Sequence, residues 1–376
     1  MSILSIENLG PVSGSFEMSL DKKLTILIGE QATGKSTIAR VVYYCATCLI
    51  DWMMDRKTYR DDIIGTHVED MQQYFIKNYG MGNGEVRYAD IDSELIFGAG
   101  NDFVVPRPSA EREYIDSSAI YIPAGRSTIP LIFESFLASR INVDPFVNNF
   151  LIFLDGKRRE YRRSMHDLLI KASGNSLAPI NMNNAMIAIE LIENILKAEY
   201  YYDQDEDWII CRDGSRVRLN VASSGQQEIL FILMTLFHIY CEMKPYTIII
   251  EEPEAHIYPS AQKLFMELLV RVVNATDSKV IITTHSPYIL TAANLLIHSA
   301  KVENIIKNDN PVVEPTARLN PNDVSAFMLE RNGDFTYHSI IDEETGLIAA
   351  EEIDTVSELI DKSMSALIDL EVKHGL

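Results

Sequence analysis

Eight residues near the start of the chain form a pattern that can bind phosphate groups. Residues 29–36 read Gly-Glu-Gln-Ala-Thr-Gly-Lys-Ser and match G-x-x-x-x-G-K-[ST]. In such a loop, backbone N–H groups point at phosphate oxygens, and the following helix N-terminus adds partial positive charge. Lys35 is expected to reach the β- and γ-phosphates and to serve catalysis, while the Ser36 hydroxyl would bind Mg²⁺. The predicted nucleotide-binding residues are Gly29, Gln31, Thr33, Gly34, Lys35, Ser36 and Thr37.

Two adjacent glutamates follow an apolar run later in the chain. Residues 246–250 read Tyr-Thr-Ile-Ile-Ile, which is typical of a buried strand, and Glu251 and Glu252 come directly after it. With a phosphate-binding loop upstream, one acid is expected to hold the metal shell while its neighbour orients the attacking water. We assign Glu251, together with Ser36, to the metal and Glu252 to the water. The structural alternative is a pair of solvated acids at the end of a strand.

The elements around these residues follow from hydrophobic spacing. Residues 23–28 form a short apolar run of the buried-strand type, and a helix with apolar residues at 3.6-residue spacing follows the loop, from Ile38 to Trp52. Residues 279–283 predict another strand. The helix predicted over 226–240 is apolar nearly all round, so only its N-terminus is free to recognise a ligand. The sequence therefore predicts an α/β P-loop fold with a mixed β-sheet, a helical insertion and a C-terminal helical tail.

Composition limits the class of protein. The chain has 376 residues, 47% of them hydrophobic, and a formal charge of −21, so it can bury a core and repels phosphate backbones on average. Its four cysteines do not make a disulfide framework and fit a reducing compartment. Its longest apolar run, at 229–241, is shorter than the roughly 20 residues of a membrane span. We expect a cytoplasmic protein with no membrane partner.

Four motifs in chain order resemble those of ABC-type ATPases. Residues 222–228 (Ala-Ser-Ser-Gly-Gln-Gln-Glu) look like the signature loop of that family, and residues 283–287 (Thr-Thr-His-Ser-Pro) look like its switch-histidine loop. Residues 252–259 look like the acidic-strand and D-loop region of the SMC/RecF-like branch. The resemblance covers about residues 1–320. That branch includes the ATPase heads of overcoming-lysogenization-defect-type nucleases and stand-alone bacterial defence ATPases, and no clustered acids of a Toprim nuclease follow the histidine loop.

The resemblance implies roles for further residues. Ser223 and Gly225 would contact the γ-phosphate that a second copy holds, and His285 would contact the γ-phosphate in its own subunit. His285 thereby joins Glu252 and Lys35 as a catalytic residue. Two ATP molecules would be sandwiched in a head-to-tail homodimer, with Mg²⁺ as the second cofactor. The loop that reaches across the dimer would be Ser223, Ser224, Gly225 and Gln226.

The chain departs from the family pattern at several positions. Glu251 stands where the metal ligand is usually Asp, and Gln31 and Ala32 stand where Asn and Gly are common. No glutamine of the usual Q-loop is recognisable. Arg126 lies where that loop is expected, and two readings are open: it is near the nucleotide, or it is a turn arginine paired with an acid.

A basic run interrupts this acidic sequence. Its cations are candidates for contact with nucleic acid or an acidic partner, and Tyr161 lies among them. The alternative is a helix face paired with the chain's own surplus carboxylates. The five basic residues are Lys157, Arg158, Arg159, Arg162 and Arg163.

The sequence also predicts a domain division. Residues 1–138 and 205–320 would form a discontinuous ATPase head, residues 139–204 a helical insertion, and residues 321–376 a tail packed on the head.

The predicted function is an ATP-hydrolysing switch that dimerises around ATP. It would regulate a separately encoded effector protein, with bacterial anti-phage defence as the setting that the family suggests. One alternative is a RecF-like DNA-repair ATPase that binds DNA through the basic run. Another is a scaffold in which ATP is bound and not hydrolysed.

Overall fold

The computed structural model describes residues 2–55, 73–79, 84–89, 94–98, 118–134, 144–306, 312–350 and 364–365. The sequence also predicts a helix over residues 61–79 and a terminal helix whose apolar face spans residues 356–368, and most of both segments lies outside these ranges. In the described ranges, no helix is both long enough and apolar enough to cross a membrane.

The strands form three sheets. In chain order they are β1 (Ile3–Leu9), β2 (Val12–Ser19), β3 (Leu24–Gly29), β4 (Glu85–Ala89), β5 (Glu94–Gly98), β6 (Ser118–Ile122), β7 (Ala198–Asp203), β8 (Glu206–Cys211), β9 (Arg216–Arg218), β10 (Tyr246–Glu251), β11 (Lys279–Thr284), β12 (Val324–Asn332) and β13 (Asp334–Ser339). The central sheet has six strands in the order β13-β12-β3-β11-β10-β6. Among the described strands of this sheet, only β13 pairs antiparallel, at one edge.

The order of the central strands decides where the site lies. Strands β3, β11 and β10 are adjacent and parallel, so their carboxyl ends meet at one edge of the sheet. Nearly all their residues are buried, as expected for parallel strands covered on both faces. The P-loop, the histidine loop and the glutamate pair follow these three strands and are therefore brought to the same edge.

Two smaller antiparallel sheets flank the central one. The first has the order β2-β1-β4-β5, and the second has the order β7-β8-β9. Gly214 occupies the left-handed region in the tight turn between β8 and β9, with φ 82°, next to Asp213. This is the hairpin that the Asp-Gly pair indicates.

The helices, in chain order, are α1 (Lys35–Asp55), α2 (73–79), α3 (Ile129–Glu134), α4 (Pro145–Arg158), α5 (Met165–Ser173), α6 (Met182–Leu196), α7 (Ser224–Glu242), α8 (Pro259–Thr276) and α9 (Pro287–Ile306). Helix α7 is buried from Glu228 to Cys241 without interruption. It contributes most of its side chains to the larger hydrophobic core, as its all-round apolar sequence predicts.

The region 139–204 joins that same core. Buried residues of α4, α5 and α6 belong to one hydrophobic cluster with α7 and α8, and Arg271 of α8 donates a 2.8 Å hydrogen bond to Asn184 of α6. The helices predicted in this region are present, and its last residues form β7. The division of the chain into head, insertion and tail stays a prediction.

The segment after residue 320 contains strands that the sequence analysis does not predict. Strand β12 pairs in parallel with β3, and β13 pairs with β12, so residues 324–339 extend the central sheet. The partner of β12 lies 300 residues earlier in the chain, and a pairing at that distance leaves no local signal in the sequence. The mixed α/β P-loop fold class is confirmed.

Candidate functional site

The P-loop connects β3 to α1, where the sequence predicts a phosphate site. Lys35 begins α1 and is buried; its Nζ donates 2.7 Å hydrogen bonds to the carbonyl oxygens of Gly29 and Glu30. Burial lowers the pKa of Lys35 to about 8, although Glu252, Glu254 and other nearby acids oppose the shift. Ser36 is exposed in the first turn of α1, next to the loop. The loop thus presents a hydroxyl and a cation together at a helix N-terminus.

The glycines of the loop are required by the backbone and by close packing. Gly29 has φ 147°, and a Cβ there would overlap the carbonyl oxygen of Leu329 in β12. Gly34 has φ 99°, and a Cβ would approach the side chain of Val12 to 3.0 Å. Ala32, where the family commonly has glycine, lies in the left-handed region with φ 63°. The loop therefore keeps a conformation that costs alanine free energy.

Glu251 ends β10 with its carboxylate buried. One carboxylate oxygen, Oε2, accepts a 3.3 Å hydrogen bond from the backbone N–H of Ala124. The other, Oε1, is buried and has no hydrogen-bond partner in the described part of the chain. An unpaired buried carboxylate oxygen at a phosphate-binding loop fits a Mg²⁺ ligand, because Mg²⁺ takes one or two carboxylates and completes its shell with phosphates and water. Among the described residues there is no all-protein cluster of three or more His, Cys, Asp or Glu side chains for a metal.

Glu252 follows in a conformation that glutamate rarely adopts. Its φ is 43°, in the left-handed region, and its backbone N–H donates a 2.9 Å hydrogen bond to the carbonyl oxygen of Thr283 in β11. Its carboxylate is partly exposed and lies 3.8 Å from Nε2 of His285. The turn therefore directs Glu252 toward the histidine loop and leaves it open to a water molecule.

His285 is held by a second carboxylate that the sequence analysis does not single out. The backbone N–H of His285 donates a 2.6 Å hydrogen bond to Oε1 of Glu254. Burial raises the pKa of Glu254, while burial and the charge of Lys35 lower the pKa of His285. The imidazole is therefore mainly neutral at neutral pH. The sequence places Glu254 only two residues after Glu252, and that proximity is the signal that could have marked it.

The structure decides between the two readings of Arg126. Arg126 is fully buried and forms an ion pair with Glu228, with Nε 3.5 Å from Oε2, and its guanidinium also contacts the backbone of the glutamate pair. It is thus a turn arginine paired with an acid. Its positive charge is neutralised inside the protein by the carboxylate of Glu228. The sequence analysis assigns Glu228 no role, although a carboxylate within the apolar stretch of a helix is itself a signal of a buried ion pair.

The segment 223–226, called the serine loop below, lies at the N-terminus of α7. Ser223 is the N-cap and forms a capping box with Gln226: Ser223 Oγ accepts from the N–H of Gln226, and the amide oxygen of Gln226 accepts from the N–H of Ser223. Ser223 and Ser224 are exposed, while Gly225 packs on the loop after β10, where a Cβ would come within 2.6 Å of the His256 carbonyl oxygen. The Ser223 hydroxyl also donates a 2.9 Å hydrogen bond to the amide oxygen of Gln226, so it takes part in the cap although both serines are exposed.

The basic run does not form one free cationic surface. Arg158 is buried with its guanidinium 4.0 Å from the centre of the Phe133 ring, and Lys157 is only partly exposed. Four of the five cations face the chain's own carboxylates, as the structural alternative holds; the fifth, Arg163, is exposed. The pairs are Lys157–Glu242 at 2.9 Å, Arg158–Asp207 at 2.9 Å, Arg158–Asp155 at 3.1 Å, Arg159–Asp155 at 3.1 Å and Arg162–Asp205 at 3.7 Å.

One family model matches part of the sequence. Residues 126–290 match the family described as AAA ATPase domain. The matched range includes the serine loop, the glutamate pair and the histidine loop, whereas the P-loop lies upstream of it. Strand β3, which carries the P-loop, pairs with β11 of the matched range, so both belong to one sheet.

Solved structures of SMC heads are similar at low identity. The SMC head domain from Thermotoga maritima is 10% identical with a TM-score of 0.43, and the match covers 90% of this chain and 98% of that chain. An Smc head bound to the C-winged helix domain of ScpA is 10% identical with a TM-score of 0.46, over 91% and 98% of the two chains. An Smc head with an extended coiled coil bound to the C-terminal domain of ScpA, derived from Pyrococcus furiosus, is 10% identical with a TM-score of 0.42, over 96% and 100%. No curated protein matches the sequence significantly. Similarity of this degree does not extend to function.

Proposed function

We propose that this chain is an ATP-hydrolysing switch that dimerises head-to-tail around two ATP molecules and regulates a separately encoded effector. One observation carries the enzymatic part: the P-loop, the glutamate pair and the histidine loop follow three adjacent parallel strands at one edge of the central sheet. A phosphate cradle, a metal-ligand carboxylate and a water-orienting carboxylate are the parts that phosphoryl transfer to water requires.

The chemistry would be mainly positioning and charge stabilisation. Lys35 and the loop N–H groups would bind the β- and γ-phosphates, and Ser36 and Glu251 would hold the Mg²⁺ that neutralises phosphate charge. Glu252 would accept a hydrogen bond from the attacking water and align it with the γ-phosphorus. His285, which is mainly neutral and lies 3.8 Å from Glu252, can donate a hydrogen bond to the γ-phosphate or to that carboxylate.

Exposed groups near the same loops support a second copy as the closing half. Ser223 and Ser224 present their hydroxyls at a helix N-terminus, where partial positive charge favours a phosphate. Large hydrophobic side chains are also exposed near the serine, glutamate and histidine loops, where a second copy would cover them. They are Val221 (70% exposed), Tyr258 (77%) and Tyr288 (54%).

Glu252→Gln tests this proposal. The amide keeps the size of the side chain and loses its negative charge, so it aligns water poorly while ATP still binds. We expect phosphate release to fall at least about 100-fold, and we expect MgATP to hold the variant as a dimer in sedimentation velocity. Glu190→Gln, an exposed glutamate of α6, is the matched control and should behave as wild type.

Other outcomes separate the alternatives. A Glu252→Gln protein that hydrolyses ATP at the wild-type rate removes Glu252 from the reaction. A wild-type protein that binds MgATP and forms the dimer without releasing phosphate is the scaffold in which ATP is not hydrolysed. The RecF-like alternative predicts DNA binding that weakens with salt and stimulates turnover. In the structure, four of the five cations of the basic run already face the chain's own carboxylates.

The regulated effector rests on the family resemblance. A dimer held by ATP offers a surface that the separated copies lack. An effector that responds to the ATP state must therefore bind either the dimer or the separated copies more tightly. Tagged Glu252→Gln protein should retain such a partner from its native cells with MgATP and lose it with EDTA. Equal retention under both conditions would contradict regulation by the switch.

A further inference from the structure

Arg126 ties the glutamate pair to the turn that follows β6. The two terminal nitrogens of its guanidinium donate to three backbone carbonyl oxygens: Nη1 to Pro123 at 2.6 Å and to Glu251 at 2.7 Å, and Nη2 to Glu252 at 2.9 Å. Arg126 is 0% exposed, and its rigid fork of donors is suited to hold several acceptors at fixed angles. The segment from Glu251 to His256, called the catalytic loop below, is therefore fixed through its backbone. The carboxylates of Glu251 and Glu252 stay available for chemistry.

Glu228 connects this arginine to the serine helix. Glu228 lies five residues after Ser223 in α7 and is 2% exposed. Its carboxylate accepts 3.0 Å hydrogen bonds from the backbone N–H groups of Arg126 and Ser127, and Arg126 Nε donates to its carbonyl oxygen at 2.9 Å. The charge of Arg126 is thus balanced by a group on the helix whose N-terminus presents the serine loop.

The hydrogen bonds of Arg126 hold the backbone of Glu252, which is strained. A non-glycine residue with φ 43° persists only where its surroundings hold it, and such residues cluster at functional sites. Three polar contacts hold the peptide groups of Glu252: its N–H donates to the Thr283 carbonyl oxygen, and its own carbonyl oxygen accepts from Arg126 Nη2 and from the backbone N–H of Ala255. Gly225 also packs directly against the carbonyl of His256 in the same loop. Helix α7 is therefore linked to the catalytic loop at two places, directly through Gly225 and indirectly through Glu228 and Arg126.

We propose that Arg126 and Glu228 form a positioning pair that holds the backbone of Glu252 at its water-aligning angle and at a fixed distance from the serine loop. This inference rests on the proposed function. Neither side chain reaches solvent in the structure, so neither is expected to touch ATP. Their effect would be on the chemical step, because ATP binding uses the P-loop and dimer closure uses the exposed serines.

Glu228→Gln in the full-length protein is the first test. The amide keeps the shape of the side chain but removes the charge opposite Arg126. We expect kcat to fall at least about tenfold with KM within about threefold of wild type, because only the transition state loses an interaction. Since ATP still binds, the variant should accumulate the MgATP dimer in sedimentation velocity without any change at Glu252. A residue that is merely structural would lose dimer, affinity and turnover together.

Two further variants complete the test. Arg126→Lys keeps a cation beside Glu228, but one ammonium with three donors cannot reproduce the four carbonyl contacts that the guanidinium makes from three separate nitrogens, so it should show the same loss of kcat. Glu242→Gln changes the other end of α7, where Glu242 is ion-paired with Lys157, and should leave kcat unchanged. This control separates a local effect from general damage to the helix.

The outcomes distinguish this inference from the proposed function. If wild-type protein neither hydrolyses ATP nor dimerises with it, the proposed function fails. If the wild type does both while Glu228→Gln and Arg126→Lys keep wild-type kcat, only the positioning pair is overturned. Loss of folding in both variants would likewise overturn it, since the pair would then act as core structure.

Discussion

Single charges held away from bulk water shape the chemistry of the site. Lys35 is buried against two carbonyl oxygens, and Glu251 has one buried oxygen without a partner in the described part of the chain. A nucleotide with its metal would complete the set of partners of both groups. The pKa of Lys35 provides a direct measure of that completion.

We predict that ATP binding takes up protons through Lys35. Burial lowers the pKa of Lys35 to about 8, so the free protein loses this proton as the pH rises through 8. Phosphates bind the ammonium form and raise the pKa, so at pH 8 about half a proton should be taken up per ATP, and affinity should fall as the pH rises further. Calorimetry of ATP binding in buffers of different ionisation enthalpy measures the uptake.

The control for this prediction is Lys35→Arg, which stays charged throughout the range and should remove the uptake from this position. Proton release by the wild-type protein at pH 8, or uptake that is unchanged in Lys35→Arg, would contradict the role of Lys35.

The sequence could predict those residues whose roles depend on local spacing. The P-loop pattern and the two acids after an apolar strand are readable because strand, loop and helix are contiguous. Arg126, Glu228 and Glu254 are not readable in this way. Their partners lie on other elements of the fold. Only the three-dimensional packing shows that Arg126 pairs with Glu228 and that Glu254 accepts from the backbone of His285.

At the level of elements, α7 links the serine loop to the hydrophobic core and to the catalytic loop. It begins with two exposed serines, carries Glu228 in its second turn and is buried through its remaining length. The sequence predicts this helix well, since its apolar pattern is continuous. It does not predict β12, whose pairing with β3 excludes a side chain at Gly29. Part of the P-loop geometry is therefore set by a segment 300 residues away.

Arg158 tests whether the basic run is structural. Arg158→Ala would leave Asp207 buried without its cation and would empty the space over the Phe133 ring, so it should destabilise the protein by about 3–5 kcal/mol. Arg163→Ala, at an exposed position, should change stability by less than about 0.5 kcal/mol. Urea unfolding of the two variants measures the difference. Similar small effects for both would mean that the buried ion pairs of Arg158 do not stabilise the fold.

At the level of the whole molecule, the proposed function requires one chain to carry two separated halves of an ATP site. The P-loop, the glutamate pair and His285 would make one half at the edge of the central sheet. The exposed serine loop would make the other half at the start of α7. A twofold dimer would bring the first half of each copy to the second half of the other and make two equivalent sites. On this proposal, neither copy hydrolyses ATP alone.

Mixing two inactive variants tests this claim most directly. Ser223→Arg blocks the serine loop and keeps the P-loop, whereas Lys35→Ala does the reverse, so each protein alone should release no phosphate from ATP. In an equimolar mixture half of the dimers are mixed, and each mixed dimer has one complete site, so about a quarter of the wild-type rate should return. If the mixture stays inactive while the wild type remains monomeric with MgATP, sites shared between two copies are contradicted.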